Sequence, residues 1–139
     1  MSSNEDIKLK VAESSAARKK ILMIEDDIFL RKVYRDKFES EGFIFIEATN
    51  GEEGTNKVLS ENPDLLILDL ILPKRNGFDV LEDLKTRPET KHIPVIVLSN
   101  LGQEVDVQSA LKLGADDYLI KTEVSLSGVV EKVKKFLPQ

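Results

Sequence analysis

The sequence predicts an α/β fold, in which five parallel strands form a doubly wound sheet with helices on both faces. Short apolar runs alternate with amphipathic stretches five times along the chain. The runs are almost continuously apolar, which is typical of parallel strands that are buried on both sides. Crossover helices between successive parallel strands then wind the sheet on both faces.

Five apolar runs are predicted to be the strands. The first is Ile-Leu-Met-Ile, and the third is Leu-Leu-Ile-Leu followed by an aspartate. Such runs, when short and bounded by turn residues, indicate buried strands. The predicted strands are residues 21–24, 43–48, 65–69, 94–98 and 118–120.

The stretches between the strands are predicted to be amphipathic helices, because their apolar residues recur at helical spacing. Gly42 and Gly114 follow two of these stretches, and glycine is common directly after the C-terminus of a helix. Asn50, with Glu53 three residues later, is a capping-box pattern. The stripes are Leu30, Val33, Tyr34 and Phe38; Phe78, Leu81 and Leu84; Val107, Ala110 and Leu111; and Leu126, Val129, Val130, Val133, Phe136 and Leu137.

Length and composition exclude several classes of protein. The chain of 139 residues is long enough for one domain with a core, and we expect residues 1–18 to be a flexible leader and 19–139 the domain. A net charge of −5 argues against a nucleic-acid or anionic-membrane surface. The absence of cysteine excludes disulfides and thiolate metal sites. No apolar stretch approaches the ~20 residues of a membrane span, so a cytoplasmic location is expected.

Polar residues stand at the carboxyl ends of four predicted strands. Glu25, Asp26 and Asp27 follow the first, Asp69 ends the third, Ser99 follows the fourth and Lys121 follows the fifth. Ligands of open α/β sheets bind outside the carboxyl ends of the strands, where the strand order reverses. We therefore expect these side chains to meet at one edge of the sheet.

The grouped carboxylates predict a magnesium site. Carboxylates that lie close together repel, and a divalent cation removes that conflict. Mg²⁺ prefers oxygen ligands and takes one or two carboxylates together with phosphate oxygens. Asp26 and Asp69 are predicted to be direct ligands, Glu25 a ligand through water, and the Ile71 carbonyl a backbone ligand.

Asp69 is predicted to be a phosphate acceptor. Phosphoryl transfer needs positioning and neutralisation of oxygen charge more than covalent help. Mg²⁺ and Lys121 can supply positive charge, and the Ser99 hydroxyl can donate to a phosphoryl oxygen. Asp69 itself can attack phosphorus in line.

With these motifs the chain resembles the receiver domain of two-component response regulators, the fold of the bacterial chemotaxis regulator. The similarity runs from about Lys19 to Leu137. It is carried by ILMIEDD at 21–27, LDLILPKRNG at 68–77, VLS at 97–99 and GADDYLIK at 114–121. The resemblance implies a flavodoxin-like sheet with strand order 2-1-3-4-5.

The resemblance also implies a signalling function rather than an enzyme that turns over a substrate. A histidine kinase or histidine phosphotransfer protein would phosphorylate Asp69 in the presence of Mg²⁺. In the family, acetyl phosphate can often replace the protein donor. Ser99 would then move toward the phosphoryl group while Tyr118 rotates inward. That change would alter the face made by the fourth helix, fifth strand and fifth helix, where partners bind, in a monomer or a phosphorylation-linked homodimer.

Two departures from the family pattern concern the site. Receivers usually have proline where Thr122 stands, which leaves the shape of the loop before the last helix open. Ile71 and Leu101, each two residues beyond a site residue, occupy positions that tune hydrolysis in the family. Because both are apolar, neither can position an attacking water, and we predict slow autodephosphorylation.

Two other functions stay open at this point. Some Mg²⁺-dependent phosphatases on related folds use an aspartate nucleophile, but they usually carry a second aspartate where this chain has Ile71. A degenerate receiver would act as an unphosphorylated interaction module, and the intact acidic residues count against it.

Asp27 has two interpretations, a site residue or a cap of the first helix, and it is left out of the predicted metal shell.

Overall fold

One parallel sheet of five strands organises the protein, of which the computed structural model describes residues 18–137. The strand order is β2-β1-β3-β4-β5, so both the predicted α/β fold and the order 2-1-3-4-5 are confirmed. The predicted flexible leader lies outside the described residues, apart from Arg18. The strands are β1 Lys20–Ile24, β2 Ile44–Ala48, β3 Leu65–Leu68, β4 Val95–Ser99 and β5 Asp117–Ile120.

A helix follows each strand, and most of the helices begin at a capping side chain. The helices are α1 Ile28–Ser40, α2 Gly51–Glu61, α3 Gly77–Thr86, α4 Glu104–Lys112 and α5 Leu126–Phe136. Asp27, Asn50, Asn76 and Ser125 accept hydrogen bonds from free amides in the first turns of α1, α2, α3 and α5. None of the helices within residues 18–137 is long and apolar enough to cross a membrane.

The core consists of two apolar layers, one on each face of the sheet. Alternate residues of the strands enter opposite layers, as with Leu22 and Met23 of β1. Helices α2, α3 and α4 cover one layer, and α1 and α5 cover the other. Burial on both faces explains why the strands are continuously apolar in sequence.

Two residues predicted to lie on buried helix stripes are exposed. Val33 of α1 is 47% exposed and Leu111 of α4 is 42% exposed. On α1 the buried positions are Arg31, Tyr34 and Phe38, so an arginine occupies the face on which Val33 was expected. On α4 only Ala110 is buried, and it belongs to the apolar layer that α2 and α3 also cover.

The register of the central strands places the ends of β1 and β3 side by side. Ile24 pairs with Leu68, so Glu25 and Asp69 are the next residues on the two strands. The Asp69 amide donates to the Ile24 carbonyl at 3.1 Å, which continues the ladder for one residue beyond β3. This edge of the sheet is where the sequence predicted a site.

Candidate functional site

The Asp69 carboxylate is buried and oriented at the end of β3. The residue is 4% exposed. Its Oδ2 accepts a hydrogen bond from Lys121 Nζ at 2.8 Å, and its Oδ1 accepts one from the Ile71 amide at 3.1 Å. One cationic and one neutral donor thus fix the carboxylate, as a buried charge requires.

Three carboxyl groups converge at this position. Glu25, Asp26 and Asp69 each offer an oxygen, and these oxygens lie within 4.8 Å of one another. Glu25 and Asp69 are buried, whereas Asp26 is exposed, so the group opens to solvent on the Asp26 side. A compact set of carboxylate oxygens with one open side suits a hard cation that keeps several of its waters.

Lys121 is the cation that faces this acidic group. Its Nζ lies 2.8 Å from Asp69 Oδ2 and 2.5 Å from Glu25 Oε1. Glu25 Oε1 is buried, and Lys121 is its charge partner. The other oxygen, Oε2, accepts from the Asp27 amide at 3.1 Å. One ammonium group thus faces two buried carboxyl groups, and a divalent cation with its water would complete the balance of charge.

The burial of Glu25 has an electrostatic consequence. Removal from water raises the pKa of its carboxyl group to about 7, with the charge of Asp69 acting in the same direction, although Lys121 and the Asp27 amide oppose the rise. Burial lowers the pKa of Lys121, but its interactions with Asp69 and Glu25 outweigh burial and leave that pKa raised. Lys121 therefore stays charged, while Glu25 is partly protonated near neutral pH.

A second group of residues lies on the neighbouring strands β4 and β5. Ser99 is fully buried, and its hydroxyl accepts from the Leu101 amide at 3.4 Å. The Tyr118 hydroxyl donates to the Leu101 carbonyl, and the Lys121 amide donates to the Ser99 carbonyl at 2.9 Å. Burial raises the pKa of Tyr118 to about 12, so its hydroxyl is a neutral donor. These bonds join the loop after β4 to β5 and to the residue that faces Asp69.

Residues 21–134 match the sequence profile of the family described as "Response regulator receiver domain". This chain belongs to that family. Transcriptional regulatory protein CpxR of Escherichia coli (strain K12) is 43% identical to this receiver over 102 residues, which are 73% of this chain. The receiver spans only 42% of the length of CpxR.

Solved structures agree with the assignment of this receiver domain. A putative response regulator from Chloroflexus aurantiacus J-10-fl has a TM-score of 0.80 and 26% identity, covering 88% of this chain and 99% of that one. The Mn(2+)-bound form of response regulator Rcp1 has a TM-score of 0.76 and 29% identity, covering 85% and 93%. Receiver domains bind Mg²⁺ at an acidic pocket, and the described residues of this receiver include an acidic cluster of Glu25, Asp26 and Asp69.

The receiver brings Lys121 to the acidic group without a proline after it. The Glu123 amide donates to the Ile120 carbonyl at 2.9 Å, which closes a tight turn around Lys121 and Thr122. No cis peptide bond occurs within residues 18–137. Ile71, whose amide binds Asp69, is 54% exposed.

Gly77 has a structural role that the sequence did not reveal. A Cβ atom at this position would lie 2.3 Å from the Asp69 carbonyl oxygen and 2.4 Å from the Leu70 Cα. The Gly77 amide also donates to the Leu70 carbonyl at 3.0 Å. An Asn-Gly pair is by itself only a turn signal, whereas here Asn76 caps α3 and Gly77 allows that helix to start directly against the chain leaving β3.

Arg31 was also missed as a residue of this region. Its Nη1 donates to the Glu25 carbonyl at 2.8 Å, and its Nε donates to Glu47 Oε1 at 3.2 Å. A signal was present in the sequence, since Arg31 lies three residues before Tyr34 and seven before Phe38, on the face that packs against the sheet.

Proposed function

We propose that this receiver domain accepts a phosphoryl group on Asp69 from a histidine kinase or a histidine phosphotransfer protein. The observation that carries the proposal is the Asp69 carboxylate itself, which is buried, bound by Lys121 at 2.8 Å and grouped with two further carboxyl groups. Burying two carboxyl groups beside one ammonium group costs stability, and a functional site explains why the chain bears that cost. Membership of the receiver family supports the same role.

The same group is proposed to hold Mg²⁺. Asp26 and Asp69 would bind the ion directly, Glu25 through water, and the Ile71 carbonyl would add a backbone ligand. The bound ion would neutralise negative charge on the phosphoryl oxygens during transfer. The excess of carboxylates over Lys121 supports this assignment, as does the Mn(2+)-bound form of the similar Rcp1.

The transfer follows from the chemistry of the two groups. An Asp69 oxygen attacks the phosphorus of a phosphohistidine, the O–P bond forms, and the P–N bond breaks with its electron pair returning to the imidazole. Lys121, which binds Asp69 before the reaction, then pairs with a phosphoryl oxygen. The product is an aspartyl phosphate and a free donor histidine.

The output is proposed to involve Ser99 and Tyr118. The Ser99 hydroxyl would turn from the Leu101 amide to donate to a phosphoryl oxygen, and Tyr118 would leave the Leu101 carbonyl and rotate inward. A phosphoryl group shifts this equilibrium only through its different interactions with the two states. The altered face of α4, β5 and α5 would then bind a partner or a second copy, and exposed Val105 offers apolar surface there.

The phosphoryl group is proposed to hydrolyse slowly. Ile71 and Leu101 offer no side-chain hydrogen bond to orient an attacking water. We expect the purified phosphoprotein with Mg²⁺ to persist for far longer than seconds, and Ile71→Asn to shorten its lifetime while Ile71→Leu does not. A lifetime of seconds in the unmodified protein would contradict this reasoning.

The proposed function is tested by incubating the protein with acetyl phosphate and Mg²⁺ and measuring its intact mass, with EDTA as one control and Asp69→Asn as another. One added phosphoryl group that both controls lack supports the receiver function. Continuous release of phosphate without accumulation of the phosphoprotein would instead indicate a Mg²⁺-dependent phosphatase. If acetyl phosphate, a histidine kinase and a phosphotransfer protein all fail to modify the protein, the remaining interpretation is an unphosphorylated interaction module.

A further inference from the structure

We propose that Arg31 is a positioning residue for the divalent cation, acting through the main chain of Glu25. The inference rests on the proposed function, because it concerns the same acidic group. Arg31 has no described contact with the carboxylates of Asp26 or Asp69. Its role is to hold the peptide from which the acidic pair projects.

Both backbone polar groups of Glu25 are fixed. Its amide donates to the Ala48 carbonyl of β2 at 3.0 Å, which is a bond of the sheet. Its carbonyl lies beyond the end of β1 and accepts from Arg31 Nη1 at 2.8 Å, in a buried contact. The Arg31 guanidinium thus binds the first carbonyl that lies beyond the hydrogen bonds of the strand.

The arginine is itself anchored to the sheet. The Arg31 side chain is 10% exposed, and Glu47 of β2 compensates its buried charge at 3.2 Å. Arg35 binds the other oxygen of the same carboxylate at 2.6 Å, so the two guanidinium groups do not compete for one oxygen. A planar guanidinium can bind the Glu25 carbonyl and the Glu47 carboxylate together, whereas an ammonium has no comparable fork.

Planarity of the peptide bond carries this constraint to Asp26. The Glu25 carbonyl, the Asp26 amide and the Asp26 Cα lie in one plane. Holding the carbonyl therefore fixes the plane of this peptide and the position of the Asp26 Cα, from which the exposed side chain projects. Without Arg31 that peptide can rotate, and the oxygens of Glu25 and Asp26 are no longer preorganised relative to Asp69.

The chain offers a matched control for this role. Arg35 lies one helical turn after Arg31, carries the same charge and binds the same Glu47 carboxylate. Its other described contacts are with Glu39 and the ring of Phe45, 5.3 Å away. Arg35→Met removes a guanidinium from the Glu47 cluster without touching the Glu25 carbonyl.

The test is calorimetric titration of the metal-free protein with Mg²⁺ at fixed pH and ionic strength. It compares the unmodified protein, Arg31→Met, Arg31→Lys and Arg35→Met. Loss of an outer-sphere partner typically weakens metal affinity by about 10–100-fold. We expect a loss of that size for Arg31→Met, a loss also for Arg31→Lys despite its charge, and a change of less than about twofold for Arg35→Met.

Amide NMR shifts of Glu25 and Asp26 in the metal-free state give a second measurement, which requires no bound ion. They should move in both Arg31 variants and stay in place in Arg35→Met. If Arg31→Met fails to fold, Arg31→Lys decides the question alone. Equal Mg²⁺ affinity in the Arg31 and Arg35 variants would overturn the inference, whereas an unmodified protein that binds no Mg²⁺ would overturn the proposed metal site as well.

Discussion

Glu25 should make the stability of the metal-free protein fall as the pH rises toward neutrality. The residue is 1% exposed, and its burial raises the pKa to about 7 from an ordinary value of 4.5. Between those two values the folded protein holds a proton that the unfolded chain has lost. Raising the pH through this window therefore favours the unfolded state.

The expected size of the effect follows from the same two values. Each pKa unit corresponds to about 1.4 kcal/mol, so the change from 4.5 to about 7 gives a loss of about 3 kcal/mol in the free energy of unfolding. Most of that loss should be complete at pH 7. The raised pKa of Lys121 adds nothing in this range, because Lys121 is protonated in both states there.

The assay is urea unfolding in EDTA at pH values from about 4.5 to 8, comparing the unmodified protein with Glu25→Gln. The difference in free energy between the two should grow in favour of Glu25→Gln as the pH rises. Glu52→Gln, which removes an exposed carboxyl group, is the matched control and should follow the unmodified protein. If the free energy of unfolding of Glu25→Gln differs from that of the unmodified protein by the same amount at every pH tested, the reasoning is refuted.

Three further substitutions separate structural from functional roles. Gly77→Ala should destabilise the protein by about 1–3 kcal/mol in urea, because its Cβ would meet a backbone oxygen, whereas Gly102→Ala should not. Asp27→Ala should cost about 1 kcal/mol as a lost cap and leave Mg²⁺ affinity unchanged, so a fall in affinity would make Asp27 a ligand. Tyr118→Phe should cost about 1 kcal/mol and keep labelling by acetyl phosphate; lost labelling would contradict a purely switching role.

The strands could be predicted from the sequence because burial on both faces leaves a local signal. Runs such as 65–68 are apolar at every position, and a short run of that kind between turn signals indicates a buried parallel strand. The order of the strands has no comparable local signal, and it came from the resemblance to receiver domains. The convergence of Glu25 and Asp69 then followed from the rule that sites form at the carboxyl ends of strands.

The features that could not be predicted depend on tertiary contacts. Val33 fits an apolar stripe in sequence, yet the buried face of α1 includes Arg31 because Glu25 and Glu47 supply its partners. Gly77 reads as a turn, and its closeness to Asp69 is visible only once α3 is packed. In each case contacts made on packing decide the role, and spacing along the chain indicates only the helix face on which a residue such as Arg31 lies.

The most direct test of the central claim is to locate the phosphoryl group chemically on the protein. Borohydride reduces an acyl phosphate to an alcohol, so a phosphorylated aspartate becomes homoserine, which peptide mass spectrometry identifies. After treatment with acetyl phosphate and Mg²⁺, homoserine should appear at position 69 and be absent with EDTA. Reduction at Glu25 or Asp26 instead, or no reduced residue in a protein whose mass has increased by one phosphoryl group, would contradict Asp69 as the acceptor.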